Sequence, residues 1–235
     1  MNEIQIIEEL KKYSNDEYAR HHSRFFKTAH GEYGEGDLFY GLKMPQIHLV
    51  VKNNYKNLSL NVVESLLQNP YHEVRMCALL ILVKKFEKSK EDQSTITQIY
   101  LNNIKYINNW DLVDLSAPHI LGFFWFKKDL DELWQLAKSN HLWSERISIL
   151  TTLGFIRKGE NLPTLELCEF FLNHKHDLIH KATGWMLREI GKREIGHLYS
   201  FLDQHHKIMP RTMLRYSIEK LSTEKRAFYL QKSKV

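Results

Sequence analysis

The sequence predicts an all-α fold, a superhelical solenoid of antiparallel helix pairs with a concave basic groove. Apolar residues recur at spacings of three and four instead of two along most of the chain, as amphipathic helices require. Only ten glycines and five prolines interrupt the 235 residues, and no segment reads as a strand. The helices recur as pairs at a period of roughly 35–40 residues, which is typical of HEAT-like and armadillo-like arrays.

The helix boundaries follow from local start and stop signals. Asn69-Pro70 opens a helix near Tyr71, Pro163 starts another, and Met209-Pro210 separates the last two substantial helices. Short turns favour antiparallel neighbours stacked into a single domain over residues 1–235. The predicted helices span 2–13, 15–28, 45–55, 59–68, 71–87, 91–107, 110–126, 129–139, 142–157, 163–173, 176–192, 194–206, 210–220 and 223–231.

Composition indicates the charge of the partner and the cellular compartment, but it does not identify the function. A net charge of +5 and a pI near 9.0 favour an anionic partner, although charge alone does not decide for nucleic acid. Cys77 and Cys168 stand far apart without zinc-type spacing, which indicates a reducing compartment and no disulfide framework. Neither a signal peptide nor an apolar stretch of about 20 residues is apparent, so we expect a soluble, cytoplasmic protein.

An acidic, glycine-rich segment over residues 30–37 interrupts the helical pattern. Its glycines resemble a phosphate-binding loop superficially, but no strand precedes it and no Gly-Lys-Ser/Thr follows it. Its carboxylates would repel phosphate. The segment therefore predicts a flexible loop without a direct role.

The helix predicted over 176–192 separates into two faces. Lys181, Trp185, Arg188 and Lys192 lie on the face opposite its apolar residues. A solvated helix face accounts for three cations, but it does not account for a large indole among them. Cations that neutralise phosphates around an aromatic ring that packs on sugar or base favour a nucleic-acid surface.

A second unusual segment begins at Asn109, a suitable N-cap for a helix that carries Asp111 in its first turn. Trp110 and Asp114 are four residues apart and share a face. Pro118 lacks the amide that would bond the carbonyl of residue 114, so the helix should kink or loosen there. The pattern makes Asp114 a candidate reactive carboxylate. The alternative is that both aspartates serve as caps or salt-bridge partners.

The remaining polar residues leave several explanations open. Arg146 lies on an apolar helix stripe and needs an anionic partner, either Glu145, an acidic neighbour in the next repeat or a phosphate. Among thirteen histidines, His176 and His180 have i, i+4 spacing, but no third ligand and no HExxH motif accompany them. We therefore predict no metal site, and no local signature of Ser-His-Asp or Cys-His catalysis is present.

Taken together, six segments of this chain resemble the AlkD-type DNA alkylation repair family. The Trp-Asp-x-Val-Asp and Gly-Trp-x-Leu-Arg-Glu blocks are the most specific, and all six occur in the family's order. The segments are Phe39-Tyr40-Gly41-Leu42-Lys43-Met44-Pro45, His72-Glu73-Val74-Arg75, Asn109-Trp110-Asp111-Leu112-Val113-Asp114, Trp143-Ser144-Glu145-Arg146, Lys181-Ala182-Thr183-Gly184-Trp185-Met186-Leu187-Arg188-Glu189 and Met209-Pro210-Arg211-Thr212-Met213-Leu214-Arg215-Tyr216.

The resemblance implies a right-handed superhelix that cradles duplex DNA and releases cationic bases such as 3-methyladenine and 7-methylguanine without metal or cofactor. Position by position, Asp114 matches the catalytic aspartate of the family, Trp110 and Trp185 match two active-site tryptophans, and Arg146 matches an active-site arginine. The family's DNA-backbone contacts fall on Arg188 and Lys192. The stretch 20–44 departs from the family pattern, with His21 where an aromatic residue is expected.

We therefore predict a monofunctional alkylpurine DNA glycosylase whose partner is double-stranded DNA containing alkylated bases. It is expected to act as a monomer without an obligatory protein partner, in the cytoplasm and associated with the nucleoid. Two alternatives are a catalytically weak protein that binds DNA structures and a scaffold for protein interactions. The cations predicted to neutralise the DNA backbone are Lys43, Lys181, Arg188, Lys192, Arg211 and Arg215.

Overall fold

The structure is a computed structural model that describes residues 2–231, and it confirms the predicted all-α fold. Within this range the extended pairing is limited to one isolated parallel bridge between Leu38 and Tyr71. The α-helices are α1 Glu3–Lys11, α2 Asp16–Phe25, α3 Met44–Asn54, α4 Leu60–Leu67, α5 His72–Lys88, α6 Gln93–Asn102, α7 Trp110–Asp114, α8 Ala117–Phe124, α9 Asp131–Ala137, α10 Leu142–Ile156, α11 Leu162–Phe170, α12 Asp177–Gly191, α13 Ile195–His205, α14 Arg211–Ser217 and α15 Thr223–Leu230, with 3-10 helices at Ile104–Tyr106 and Phe171–Asn173.

Each predicted helical segment contains an observed helix. Two predicted segments, 91–107 and 163–173, end in the short 3-10 helices. The segment 110–126 was predicted as one helix with a weak point, and it divides into α7 and α8 at Leu115 and Ser116. The local signals in the sequence were therefore sufficient to place the elements.

The chain divides into two compact units, the first ending at Ile120 and the second beginning at Leu121. In the first unit α1 packs on α3, α3 on α5 and α5 on α7. In the second unit α10 packs on α12 and α12 on α14, while α9 packs on α10, α13 packs on α12, and α11 packs on both α10 and α12. Contact between every second helix is expected of an array of two-helix repeats. The single domain and the concave basic groove stay predictions.

One long helix lies at the centre of each unit. In the second unit α10 is buried from Trp143 to Ile156, on all of its faces. In the first unit α5 is similarly buried from His72 to Val83. A helix that is buried on every side is expected to be apolar throughout. The buried His72, Glu73 and Arg75 in the first turn of α5 are therefore exceptions that need partners.

The contact between α12 and α14 depends on Gly184. A Cβ at this position would lie 2.5 Å from the Met213 carbonyl oxygen and 2.6 Å from Cβ of Tyr216. Both distances are below van der Waals contact, so the two helices would have to separate. A Cβ added to Gly196 in α13 would meet only open space, so this glycine provides a matched comparison.

We predict that Gly184→Ala lowers the free energy of unfolding by about 1–3 kcal/mol, the usual cost of overpacking. Gly196→Ala should leave it unchanged or raise it by about 0.5–1 kcal/mol, because alanine is the better helix former. Thermal unfolding followed by circular dichroism measures both changes. Equal effects of the two substitutions would contradict the close packing of α12 on α14.

No helix within residues 2–231 combines the length and the apolar character needed to cross a membrane. Cys77 and Cys168 are both buried and free. Burial raises the pKa of the Cys77 thiol to about 12 and also raises the pKa of Cys168, so neither thiol ionises readily.

Candidate functional site

The candidate site in the first unit is built on the short helix α7. The side chain of Asn109 accepts a hydrogen bond of 2.9 Å from the Trp110 amide, which confirms the predicted N-cap. The helix ends at Asp114, and α8 begins at Ala117. Because Pro118 has no amide to bond the Asp114 carbonyl, the predicted break beside this aspartate is also confirmed.

The Trp110 ring belongs to a cluster of aromatic side chains. It stacks on Phe26, with ring centroids 5.6 Å apart and an interplanar angle of 28°, and it meets Phe25 edge to face at 5.9 Å. Phe26 in turn stacks on Phe39 at 5.4 Å and on the His72 imidazole at 4.8 Å. These contacts fix the orientation of the half-buried indole.

Asp114 is half-buried at the end of α7, next to the break. The buried Tyr100 hydroxyl bonds Ser116 Oγ at 3.0 Å, and Ser116 Oγ donates to the Leu112 carbonyl oxygen at 2.5 Å. Burial and then the charge of Asp114 raise the pKa of the Tyr100 hydroxyl. Tyr100 and Ser116 thus hold in place the helix break that follows Asp114.

A buried polar network holds the start of α7. His72 is 2% exposed, and its Nε2 lies 2.8 Å from Asp111 Oδ2 while its Nδ1 lies 3.3 Å from Asp37 Oδ2. Arg75 Nη2 lies 2.7 Å from Asp37 Oδ2 and donates to Asn108 Oδ1 at 3.0 Å. Asn108 also donates from Nδ2 to Asp37 Oδ1 at 2.8 Å. The network therefore joins α5 and the end of the acidic loop to both sides of the Asn109 cap.

The charges of this network support one another. Burial disfavours a charged His72, but the Asp111 carboxylate and the hydrogen bonds to both aspartates outweigh it and raise the His72 pKa to about 9. The pKa of Asp37 is lowered, because the hydrogen bond from His72 and the charge of Arg75 outweigh burial. His72 is consequently an imidazolium at neutral pH and donates through both of its nitrogens.

Glu73 anchors the chain that leads from the acidic loop into α3. Its carboxylate, 2% exposed, accepts the amides of Tyr40 at 3.1 Å, Gly41 at 2.8 Å and Leu42 at 3.1 Å. Gly41 has φ of +80°, and a Cβ there would lie 2.1 Å from the Asn15 carbonyl oxygen. The tight approach of this loop to the start of α2 therefore requires glycine.

The sequence did not predict that the buried polar residues around α7 and the acidic segment form one group. The acidic segment 30–37 was predicted to be a flexible loop without a direct role, whereas its last residue, Asp37, is 8% exposed and paired with Arg75. Within the loop, Glu35 accepts the Gly31 amide at 2.8 Å. The signal in the sequence was the occurrence of three polar residues, His72, Glu73 and Arg75, at the start of an apolar helix.

The α12 stripe is the helix face in the second unit that carries Lys181, Trp185, Arg188 and Lys192. More of its charges are paired with carboxylates than the sequence suggested. The Trp185 indole donates from Nε1 to Glu189 Oε1 at 3.1 Å, and Lys192 Nζ lies 2.6 Å from the same oxygen. Arg188 pairs with Glu219 of the segment after α14, and Lys181 Nζ lies 2.8 Å from Asp177 Oδ2. Each of these cations therefore faces a carboxylate of the protein itself.

Comparison with known proteins identifies the family. The sequence profile described as DNA alkylation repair enzyme matches residues 6–221. The chain belongs to the DNA alkylation repair family. A solved structure described as a predicted DNA alkylation repair enzyme from Enterococcus faecalis has 17% sequence identity, covers 89% of this chain and 97% of its own chain, and superposes with a TM-score of 0.69. At this identity the likeness shows the fold. No curated protein matches.

In this DNA alkylation repair family member, Arg146 is 4% exposed and donates from Nη1 to the Leu178 carbonyl oxygen at 2.5 Å. The neighbouring Glu145 lies 3.1 Å from His174 Nε2. The sequence left three anionic partners open for Arg146, and the structure adds a main-chain carbonyl at the start of α12. Its matching to an active-site arginine stays a prediction.

The other residues predicted to contact DNA lie on the surface of the protein. Lys43 is exposed, with Nζ 4.4 Å from the centroid of the Tyr18 ring. Arg211 and Arg215 are exposed on α14, and Arg211 approaches the Leu230 carbonyl oxygen at 3.5 Å. Their exposure is compatible with contacts to phosphate.

Across residues 2–231 no group of three or more His, Cys, Asp or Glu side chains is arranged to hold a metal ion. The two histidines with i, i+4 spacing use their nitrogens locally. His176 Nδ1 accepts the Leu178 amide at 3.1 Å, and His180 Nε2 donates to the His174 carbonyl oxygen at 2.6 Å. Both histidines therefore bond main-chain groups around the start of α12.

Proposed function

We propose that this DNA alkylation repair protein hydrolyses the N-glycosidic bond of cationic alkylated purines in duplex DNA, with Asp114 as the catalytic residue. The observation that carries the proposal is a half-buried carboxylate at a helix break, one helical turn from Trp110. Capping, ring stacking and the buried network all converge on the same five-residue helix. Membership of the family directs this arrangement towards damaged DNA.

The chemistry needs little more than one carboxylate. Alkylation at N3 or N7 gives the purine a positive charge, so the base leaves with the electron pair of the glycosidic bond without prior protonation. The deoxyribose becomes an oxocarbenium-like cation, which Asp114 stabilises electrostatically. Asp114 also orients water and accepts its proton as the oxygen bonds to C1′. Glycoside hydrolases use the same logic with two carboxylates.

Trp110 provides a rigid aromatic surface one helical turn before this carboxylate. A π face attracts a cationic centre, which an oxocarbenium-like sugar or an alkylated purine supplies. Because Phe26 and Phe25 hold the indole, little conformational entropy is lost when the sugar packs on it. Trp185 supplies a second aromatic side chain on the α12 stripe, where Glu189 fixes its Nε1.

The cations of α12 bind the DNA backbone in this proposal. Phosphates replace the carboxylates of Glu189 and Glu219 as partners of Lys192 and Arg188. We predict that the double substitution Arg188→Gln and Lys192→Gln reduces the slope of log K against log salt concentration by about two.

Fluorescence anisotropy with an undamaged duplex at several salt concentrations measures this slope. The matched control is Lys84→Gln with Lys88→Gln, two exposed cations at the same spacing on α5. An unchanged slope in the α12 variant would remove α12 from the DNA interface. A protein-interaction scaffold, the second alternative, would show neither salt-dependent nor appreciable DNA binding.

Chromatography of the bases released from methylated duplex DNA tests the activity itself. Release of methylated purines supports the glycosylase. Tight DNA binding without base release would favour the first alternative, a protein that recognises DNA structure without useful catalysis. A carboxylate one helical turn from Trp110 argues against that alternative, because backbone binding alone gains nothing from negative charge near phosphate.

A further inference from the structure

The start of α7 is held by side chains from both flanks. Before the helix, Asn108 bonds Asp37 and Arg75. At the cap, Asn109 Nδ2 donates to the Phe26 carbonyl oxygen at 3.4 Å. In the first turn, Asp111 binds His72. A five-residue helix cannot be stable by itself, so its position depends on these contacts.

His72 connects the first turn of α7 to two other segments of the first unit. Its two nitrogens face carboxylates on different segments, Asp111 in α7 and Asp37 at the end of the acidic loop. Its ring stacks on Phe26 at 4.8 Å, and Phe26 stacks on the Trp110 indole at 5.6 Å. One buried side chain thus contacts α7 directly through an ion pair and indirectly through a ring stack.

We propose that His72 is a positioning residue for base excision: by bridging Asp37 and Asp111, it fixes the first turn of α7 and so places the Trp110 ring and the Asp114 carboxylate. This inference rests on the proposed function. His72 is 2% exposed, too buried to be a substrate-binding side chain, and the sequence pattern assigned it no role. It acts on the reaction only through the helix that carries the catalytic residue.

The charges around His72 give the bridge a defined pH dependence. Asp111 faces it from α7, Asp37 faces it from the loop, and Arg75 on α5 opposes it. The His72 pKa is raised to about 9 from an ordinary value of 6.5. The contribution of the bridge to stability is therefore complete below about pH 6.5, and the bridge itself is lost as the pH rises through about 9.

The test compares the native protein with His72→Gln and with a control variant, His206→Gln. His206 is a half-buried histidine of the second unit whose imidazole hydrogen-bonds the Leu202 carbonyl oxygen. Single-turnover release of 7-methylguanine from duplex DNA gives the rate, and anisotropy gives the Kd for DNA. We expect His72→Gln to lower the rate about tenfold with an unchanged Kd, as for loss of one charge-assisted hydrogen bond. The native rate should fall near pH 9, and this inflection should be absent in His72→Gln.

A second measurement does not depend on activity. In the DNA-free protein in D₂O, nuclear Overhauser effects between carbon-bound protons of Trp110 and Phe26 report the stack, with assignments from Trp110→Phe. We expect them in the native protein at pH 7, and we expect their loss in His72→Gln and in the native protein above about pH 9. The pH titration needs no variant, so it decides even if His72→Gln does not fold.

The two readouts separate the possible failures. Loss of the ring contacts together with a lower rate supports the positioning role. Retained contacts overturn it whatever the rate does, and lost contacts with a native rate overturn it as well. If the native protein releases no base at any pH, the proposed glycosylase fails, and the ring contacts alone then decide whether His72 holds α7.

Discussion

Replacing Asp114 with asparagine is expected to reduce the single-turnover rate of methylated-purine release at least about 100-fold, the usual effect of removing one key electrostatic group. Asparagine keeps the size and the hydrogen-bonding capacity of the side chain, but it carries no charge to stabilise the oxocarbenium-like sugar. It also cannot accept a proton from the attacking water. Folding should be little affected, because Asp114 is half-buried at the end of a helix.

A matched control is Asp131→Asn, which removes an exposed carboxylate from the first turn of α9. It should retain the native rate. Affinity for undamaged duplex should be equal or slightly higher in Asp114→Asn, since one negative charge near phosphate is removed. A variant that binds DNA and still releases base at the native rate would eliminate Asp114 as the catalytic residue.

Glu73→Ala is expected to destabilise the protein by on the order of 3 kcal/mol or more, because two buried amides and one part-buried amide would lose their acceptor. This carboxylate accepts hydrogen bonds from the amides of Tyr40, Gly41 and Leu42. For a chain of this length the corresponding fall in Tm is about 10 °C. Thermal unfolding followed by circular dichroism measures it, with Glu87→Ala, an exposed glutamate on the same helix, as the control.

The pH dependence of stability gives an independent check on Glu73. Burial opposes its ionisation, but His22 and the amides of Tyr40 and Leu42 outweigh burial and hold the pKa below its ordinary value of 4.5. Its contribution is therefore complete above about pH 4.5 and is lost as the pH falls through the lower, folded-state pKa. Glu73→Gln should flatten this acid-side loss. Equal Tm values for Glu73→Ala and Glu87→Ala would contradict the anchoring role.

The elements of the fold could be predicted because their signals are local. Asn109 caps the next residue, and Pro118 breaks a helix at a carbonyl four positions earlier. The spacing of Trp110 and Asp114 on one face follows from helical periodicity alone. Each of these inferences needed only a window of about ten residues, and the family resemblance then gave a role to the aspartate.

The network around α7 could not be predicted in the same way, because its partners are distant in the sequence. Asp37 and His72 are 35 positions apart, and Asp37 and Asn108 are 71 apart. Likewise, the carboxylate that pairs with Arg188 lies 31 positions away, beyond α14. Helical periodicity assigns residues to faces but not to distant partners, so it identified Arg188 without its counter-charge on Glu219.

The most direct test of the central claim is to incubate the native protein with duplex DNA that contains either 7-methylguanine or the uncharged O6-methylguanine and to chromatograph the released bases. Heat-unfolded protein in parallel gives the spontaneous rate. The account predicts that 7-methylguanine is released above that rate and O6-methylguanine is not, because only the cationic base leaves without an acid catalyst. Release of both bases, or of neither, would contradict it.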